Sequence, residues 1–222
     1  MKAMILAAGF GRRMRPLTDE KPKPLLRVGG RPLIERQIEQ LAAGGFRDLV
    51  INTAWLGDQI EDTLGDGAAL GVRIAYSREG QPLETAGGIV QALPLLGDEP
   101  FAVVNGDIFS DYDPARLPRE PEGLAHLVLV DNPEHNASGD FGLDFQGRID
   151  DNASTRLTFA GMGMYRPELF NGLQPGERKL GPLLQDAAAQ GRVTGERHTG
   201  TWLDVGTPER LEQLDRQLRG LS

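Results

Sequence analysis

The chain has 222 residues, 39% of them apolar and 6% aromatic, an ordinary composition for a globular protein and enough for one sizeable core. It has no cysteine, which excludes disulfides, thiolate metal sites and cysteine nucleophiles. Its net charge of −8 argues against a general nucleic-acid binder, and no apolar run reaches the roughly 18 residues of a membrane-spanning helix, so neither partner is expected.

Residues 3–8 form a short apolar run that stops at Gly9, as a fully buried strand would. The run is too short and too Arg-flanked for a secretion signal, so a cytoplasmic protein is expected. The Asn-x-Ser sequons at Asn136 and Asn152 then carry no meaning. Residues 9–31 are rich in Gly, Pro and Arg and read as a long loop, a length that inside a compact domain usually serves function. Leu33, Ile34, Ile38 and Leu41 recur at helical spacing, with Pro32 expected in the first turn and Gly44-Gly45 at the end. A strand over 48–52, a helix over 57–64 and a strand over 72–76 follow. Residues 77–88 read as a second polar loop overlapping a helix that begins near Thr85 and runs to Leu96. Phe101–Asn105 is a third apolar strand, closed by Gly106-Asp107.

This alternation predicts an α/β fold with a Rossmann-like, mostly parallel central sheet and flanking helices. Leu124–Val130 is a further strand, and residues 139–165 hold at least two more, paired antiparallel, with Thr158–Tyr165 the clearest. Helices are expected over 180–190 and 207–219, with a strand over 192–198 between them. Thr207 is placed as N-cap and Pro208 as the first helical residue of the last helix. A single domain over 1–222 is expected. With no repeat or assembly segment, so is a monomer.

Charge is unevenly placed. Residues 1–31 hold eight basic residues and two acids, a net of +6, which leaves −14 for the remainder. A compact cationic segment on an acidic chain points to a small polyanion, a solvated basic loop being the plainer alternative. Gly9 and Gly11, directly after a buried strand, let backbone N–H groups approach phosphate oxygens. Arg13 can grip a phosphate bidentately, and Lys23, in Lys21-Pro22-Lys23-Pro24, supplies a point charge. Neither the dinucleotide fingerprint nor a P-loop fits, because no third Gly and no Gly-Lys-Ser/Thr follows.

Two acidic motifs complete the pattern. Val103-Val104-Asn105-Gly106-Asp107 sets a carboxylate beyond a buried strand, and Trp202-Leu203-Asp204-Val205-Gly206-Thr207-Pro208 sets another 97 residues later. Mg²⁺ takes one or two carboxylates plus phosphate oxygens and water, so two aspartates meeting at a sheet edge suit a metal–triphosphate site. Each taken alone also fits an Asx-turn or helix cap.

From Leu6 to Pro24, Gly-x-Gly-x-Arg-Met-x-Pro-Leu-Thr and the Lys-Pro-Lys run resemble the signature of the sugar-1-phosphate nucleotidyltransferases, and the two aspartate motifs extend the resemblance over nearly the whole chain. It implies a GT-A-like form of the α/β fold with a small antiparallel sugar-binding portion. It implies a phosphate loop of Ala8, Gly9, Gly11, Arg12 and Arg13, with Lys23 and Asn105 at the nucleotide and Mg²⁺ on Asp107 and Asp204. Arg13, Lys23 and Asp107 are then the catalytic residues. The implied reaction is in-line attack of a sugar 1-phosphate on the α-phosphorus of a nucleoside triphosphate, with pyrophosphate leaving.

Ser77–Gly88 resembles the family's base-reading segment, which makes Glu79, Gly80, Thr85 and Gly87 nucleotide candidates. The usual Gly-Thr-Ala-Gly reads Glu84-Thr85-Ala86-Gly87 here, which leaves the base open, and Thr85 fits a helix cap equally well. Asp140 and Gly142 fall where relatives hold the sugar. The family's Lys at the sugar phosphate is missing from Asp150–Arg156, and Arg156 or Lys179 is the expected substitute. His126, His135 and His198 read as structural. The short form and the Asn52–Ile60 and Trp202–Leu211 segments resemble uridylyltransferase members of bacterial cell-wall recycling. That implies UTP as nucleotide and a UDP-sugar as product. A mannose- or heptose-1-phosphate guanylyltransferase and a non-catalytic nucleotide-binding regulatory subunit are the alternatives.

Overall fold

The computed structural model describes residues 1–150, 153 and 155–220; Asp151, Asn152 with its sequon, and Ser154 lie outside them. In chain order the first half contains β1 (Lys2–Leu6), α1 (Leu17–Glu20), β2 (Arg27–Val28), β3 (Arg31–Pro32), α2 (Leu33–Ala43), β4 (Asp48–Thr53), α3 (Gly57–Leu64), β5 (Arg73–Arg78), α4 (Glu84–Leu96) and β6 (Phe101–Asn105). The second half contains β7 (Ile108–Ser110), β8 (Ala125–Val130), β9 (Phe141–Gly142), β10 (Arg156–Tyr165), α5 (Leu180–Ala189), β11 (Val193–His198), β12 (Trp202–Asp204) and α6 (Pro208–Leu218).

The main sheet has the order β11-β8-β10-β6-β1-β4-β5, with β9 on the free stretch of β10. Pairing is parallel at β1–β4, β1–β6, β4–β5 and β8–β11, and antiparallel where β10 lies between β6 and β8. The Rossmann-like, mostly parallel α/β sheet is therefore present, and β9–β10 forms the antiparallel portion.

Alternation explains why these apolar runs are central strands. Ala3, Ile5, Leu49, Ile51, Ala102 and Val104 face one side, where Ile34, Ile38 and Leu41 of α2 and Ile60 of α3 cover them. Met4, Val50, Phe101 and Val103 face the other, beneath Ile89 of α4 and Leu184 of α5. Such two-sided burial needs near-continuous hydrophobicity. A third cluster joins Met14, Val28 and Leu33 to Val205 and Leu214, fastening the early loop to α6.

Three local expectations change. Residues 9–31 are not one loop but carry α1 and the β2–β3 hairpin. Pro32 stands at the N-cap of α2, with extended ψ of 140°, because β3 runs into the helix directly. The α4 cap is Leu83, not Thr85, and the helix start is satisfied by neighbouring backbone instead. No helix among the described residues is long and apolar enough to cross a membrane.

Candidate active site

The parallel strands β1, β4 and β6 end on one edge, and the loop after β1 lies across it. Gly11 adopts a left-handed φ of 62°, and a Cβ there would lie 2.8 Å from Thr18 Cγ2, so conformation and space both require glycine. Its carbonyl accepts the Met14 N–H and the Thr18 hydroxyl, each at 2.8 Å. The Trp55 indole N–H donates to the Thr18 carbonyl at 3.0 Å, and Met14 is buried. The base of the loop is thus packed while Gly9, Arg12 and Arg13 stay exposed.

Asp107 follows β6 on a braced turn. The Gly106 N–H donates to Leu6 O at 2.9 Å, and the buried Gln37 amide donates to Asn105 O at 2.6 Å and Ile108 O at 3.1 Å. Lys23 Nζ reaches Asp107 Oδ2 at 2.6 Å. The β7–β12 ribbon pairs Asp204 with Ile108, and the Val205 N–H donates to Asp107 O at 2.7 Å. The two aspartates, remote in sequence, are therefore neighbours in backbone.

Their side chains face different spaces. Asp107 lines a cavity of about 780 Å³. Asp204 lines an adjoining one of about 440 Å³, where Arg210 Nη1 holds its Oδ2 at 2.5 Å. Its Oδ1 lies 3.2 Å from His135 Nε2 but makes no hydrogen bond among the described residues. The wall between the cavities is thin at Gly206, where an added Cβ would lie 2.9 Å from Asp204 Oδ2 and 3.5 Å from Arg13 Nη1.

The larger cavity brings together Ala8, Gly9, Gly11, Arg12, Arg13, Lys23, Glu79, Thr85, Asn105 and Asp107. Gly80 and Gly87 are not on its lining. Gly87 packs against the 176–178 segment, where a Cβ would overlap the Gly176 carbonyl, and Arg178 O accepts the Ala86 and Gly87 N–H groups at 2.9 and 3.2 Å. Glu84 holds φ of 60°, a conformation the family's usual glycine adopts freely, so the departure at this position keeps a glycine-like backbone.

Glu79 is 6% exposed, and both its oxygens are committed, Oε1 to Asn52 Nδ2 at 2.7 Å and Oε2 to the Leu83 N–H at 2.9 Å. Asn52 Oδ1 in turn accepts the Ala7 N–H at 2.7 Å, so this series of bonds ties the loop after β1 to the start of α4. Burial pushes the Glu79 carboxyl above the ordinary glutamate value, against the two hydrogen bonds. A raised folded value means that its contribution to stability is full below the unfolded value and declines as pH rises through the folded one. Glu79→Gln should remove that decline from the pH–stability curve. It should also cost about 1–3 kcal/mol at neutral pH, because an amide nitrogen must then face a donor. Urea unfolding of both proteins across pH measures the two effects.

The sugar candidates lie on β9–β10 and the loop before it, off the lining of the larger cavity. Asp140 spends Oδ1 on Asn136 Nδ2 at 3.0 Å and Oδ2 on the Phe159 N–H at 2.8 Å, and its carbonyl accepts Arg156 Nη2 at 2.7 Å. Gly142 is packed so that a Cβ would overlap the Asp150 carbonyl. Lys179 stands at the N-cap position of α5, with no capping hydrogen bond from its side chain. The stretch that lacks the family lysine is described only in part.

The sequence reading assigns no site role to Asn52, Gln37, Arg210 or His135. Gln37 had a visible signal, a lone amide on the apolar stripe of Ile34, Ile38 and Leu41. Asn52 stands near the end of a buried strand, beside the loop after β1. His135 was read as structural, yet it stands beside Asp204. His198 pairs with Asp111 at 2.7 Å, and His126 meets Thr194 Oγ1 at 2.9 Å.

The sequence matches the family described as Nucleotidyl transferase over residues 2–219. The chain belongs to the nucleotidyl transferase family. This nucleotidyl transferase is 56% identical to an N-acetylmuramate alpha-1-phosphate uridylyltransferase of Neisseria meningitidis serogroup B over 222 residues, 96% of each chain. It is 36% identical to the protein of the same name in Caulobacter vibrioides, over 93% of this chain and 92% of that one. Its fold matches the crystal structure of a Bacillus anthracis protein assigned as a glucose-1-phosphate thymidylyltransferase, with a TM-score of 0.86 at 23% identity, covering 100% of this chain and 96% of that one.

Proposed function

We propose that this chain transfers a uridylyl group from UTP to N-acetylmuramate 1-phosphate, giving a UDP-sugar and pyrophosphate, in the cytoplasm and as a single-domain monomer. The observation that carries the reading is the 56% identity over 96% of the chain to a relative of that name, joined to a cavity that gathers a cationic glycine loop and Asp107. An acceptor phosphate is already ionised at neutral pH, so the reaction needs no general base. Arg13 and Arg12 bind and orient the triphosphate, and Lys23 balances charge beside the α-phosphate. Asn52 and Glu79 hold the loop that the nucleotide contacts.

The donor set fits Mg²⁺. Asp107 and Asp204 offer hard oxygen ligands on adjoining backbone, and the buried Oδ1 of Asp204 lacks a hydrogen bond among the described residues. When bound there, the metal would neutralise charge on the phosphates during displacement. Initial rates of pyrophosphate release test the substrates, with UTP and N-acetylmuramate 1-phosphate compared against GTP and mannose 1-phosphate. UTP with the muramate is expected to be turned over at least tenfold faster, a preference of about 1.4 kcal/mol. Equal rates for the guanylyl pair would overturn the choice.

A further inference from the structure

We infer that Arg210 is a positioning residue that stands on Asp204 in the place of the metal and yields it only to a metal that arrives with a triphosphate. The inference rests on the proposed reaction and assigns a role to a residue which the family signature does not include.

Arg210 Nη1 lies 2.5 Å from Asp204 Oδ2, and the two side chains are only 21% and 19% exposed. A half-buried pair of this kind is only partly screened, and breaking it carries a cost. The arginine is anchored. It sits in the first turn of α6, and its N–H donates to the capping hydroxyl of Thr207 at 3.4 Å. Gly206 marks a point of convergence. A Cβ there would lie 2.9 Å from Asp204 Oδ2, 3.3 Å from Arg210 Nη1 and 3.5 Å from Arg13 Nη1. The Arg210–Asp204 pair therefore lies across Gly206 from Arg13 of the larger cavity. Lys23 repeats the arrangement on Asp107 at 2.6 Å. Both proposed metal ligands are charge-balanced from within.

A bare divalent cation meets a closed door in this arrangement. At Asp204 it meets the Arg210 guanidinium on Oδ2, and at Asp107 the Lys23 ammonium, and each repels it. A triphosphate changes the balance, because its negative oxygens take up Arg13 and Lys23 and accompany the metal. Oδ1 of Asp204 makes no hydrogen bond among the described residues and lies 3.2 Å from His135 Nε2, so a metal held by both oxygens requires Arg210 to release Oδ2. Among those residues no group of three or more acidic or histidine side chains forms a metal cage, so phosphate must complete the shell.

The test is direct metal binding, with Mn²⁺ followed by the loss of its free-ion paramagnetic resonance signal. The wild-type protein without nucleotide should bind Mn²⁺ weakly. A non-hydrolysable UTP analogue should tighten binding by about tenfold or more, after subtraction of metal held by the free analogue. Arg210→Met and Arg210→Gln, which remove the charge, should each raise nucleotide-free Mn²⁺ affinity about tenfold. Arg210→Lys, which keeps a cation, should stay near wild type. Circular dichroism and thermal melts establish which variants are folded, and either neutral variant suffices. A folded neutral variant that binds nucleotide-free Mn²⁺ no better than wild type overturns the role of Arg210, as does tight binding by the wild type without nucleotide. Failure of the proposed reaction shows separately, as no pyrophosphate release by wild type from UTP and N-acetylmuramate 1-phosphate.

Discussion

Asp107→Asn is expected to reduce turnover by about 10³-fold while the protein stays folded. The side chain is one-third exposed and pairs with Lys23, so its amide replacement keeps the volume and removes only the charge. The turn that carries it is held by backbone and by Gln37, neither of which depends on the carboxylate. Losses should fall on kcat, because the metal that Asp107 would hold neutralises phosphate charge that is greatest during displacement at phosphorus. Pyrophosphate release gives the rate, and circular dichroism and thermal unfolding report the fold. A variant with wild-type turnover would remove Asp107 from the chemistry and with it the metal assignment.

Gly106→Ala should damage both stability and activity, by a different route. A Cβ at this position would overlap the Leu6 carbonyl oxygen, and that oxygen is the acceptor for the Gly106 N–H. Backbone cannot move aside as a side-chain tip can, so the ends of β1 and β6 must part. Overpacking of this sort costs about 1–3 kcal/mol. The same shift displaces Asp107 relative to the glycine loop, and a misplacement of about 1 Å at a reacting centre can cost about 10²-fold in rate. Urea unfolding and steady-state kinetics should therefore both respond. A stable, fully active Gly106→Ala protein would mean that the two strand ends do not set the geometry of the site.

The fold was legible where burial is two-sided. The runs at residues 3–8, 48–52 and 101–105 are continuous hydrophobic stretches because helices cover both faces of their strands, and their order with the helices implies parallel pairing. Short pairings were not legible. β7 and β12 have three residues each, too few for a period, and their partnership spans more than ninety positions. The loop after β1 stood out because glycine and arginine recur in it at fixed offsets, and it does line the larger cavity. Proximity of the two aspartates could be expected from their motifs, but the direction of the Asp204 side chain could not. Arg210, six positions later, turns it toward a second cavity, and only the geometry of α6 brings that guanidinium there. Asp140 and Gly142 also have internal contacts that their motif did not reveal, Asp140 with Asn136 and the Phe159 N–H and Gly142 against the Asp150 carbonyl.

The ribbon joining Ile108 to Asp204 also sets a timetable. A nascent polypeptide that has already emerged past α5 can pair β1, β4, β5, β6, β8 and β10, yet it still lacks the strand that docks beside Asp107. Until the ribosome has released the 200s, the growing chain presents a cationic loop with half of its acidic complement. That edge of the site is therefore completed only by residues near the end of the chain.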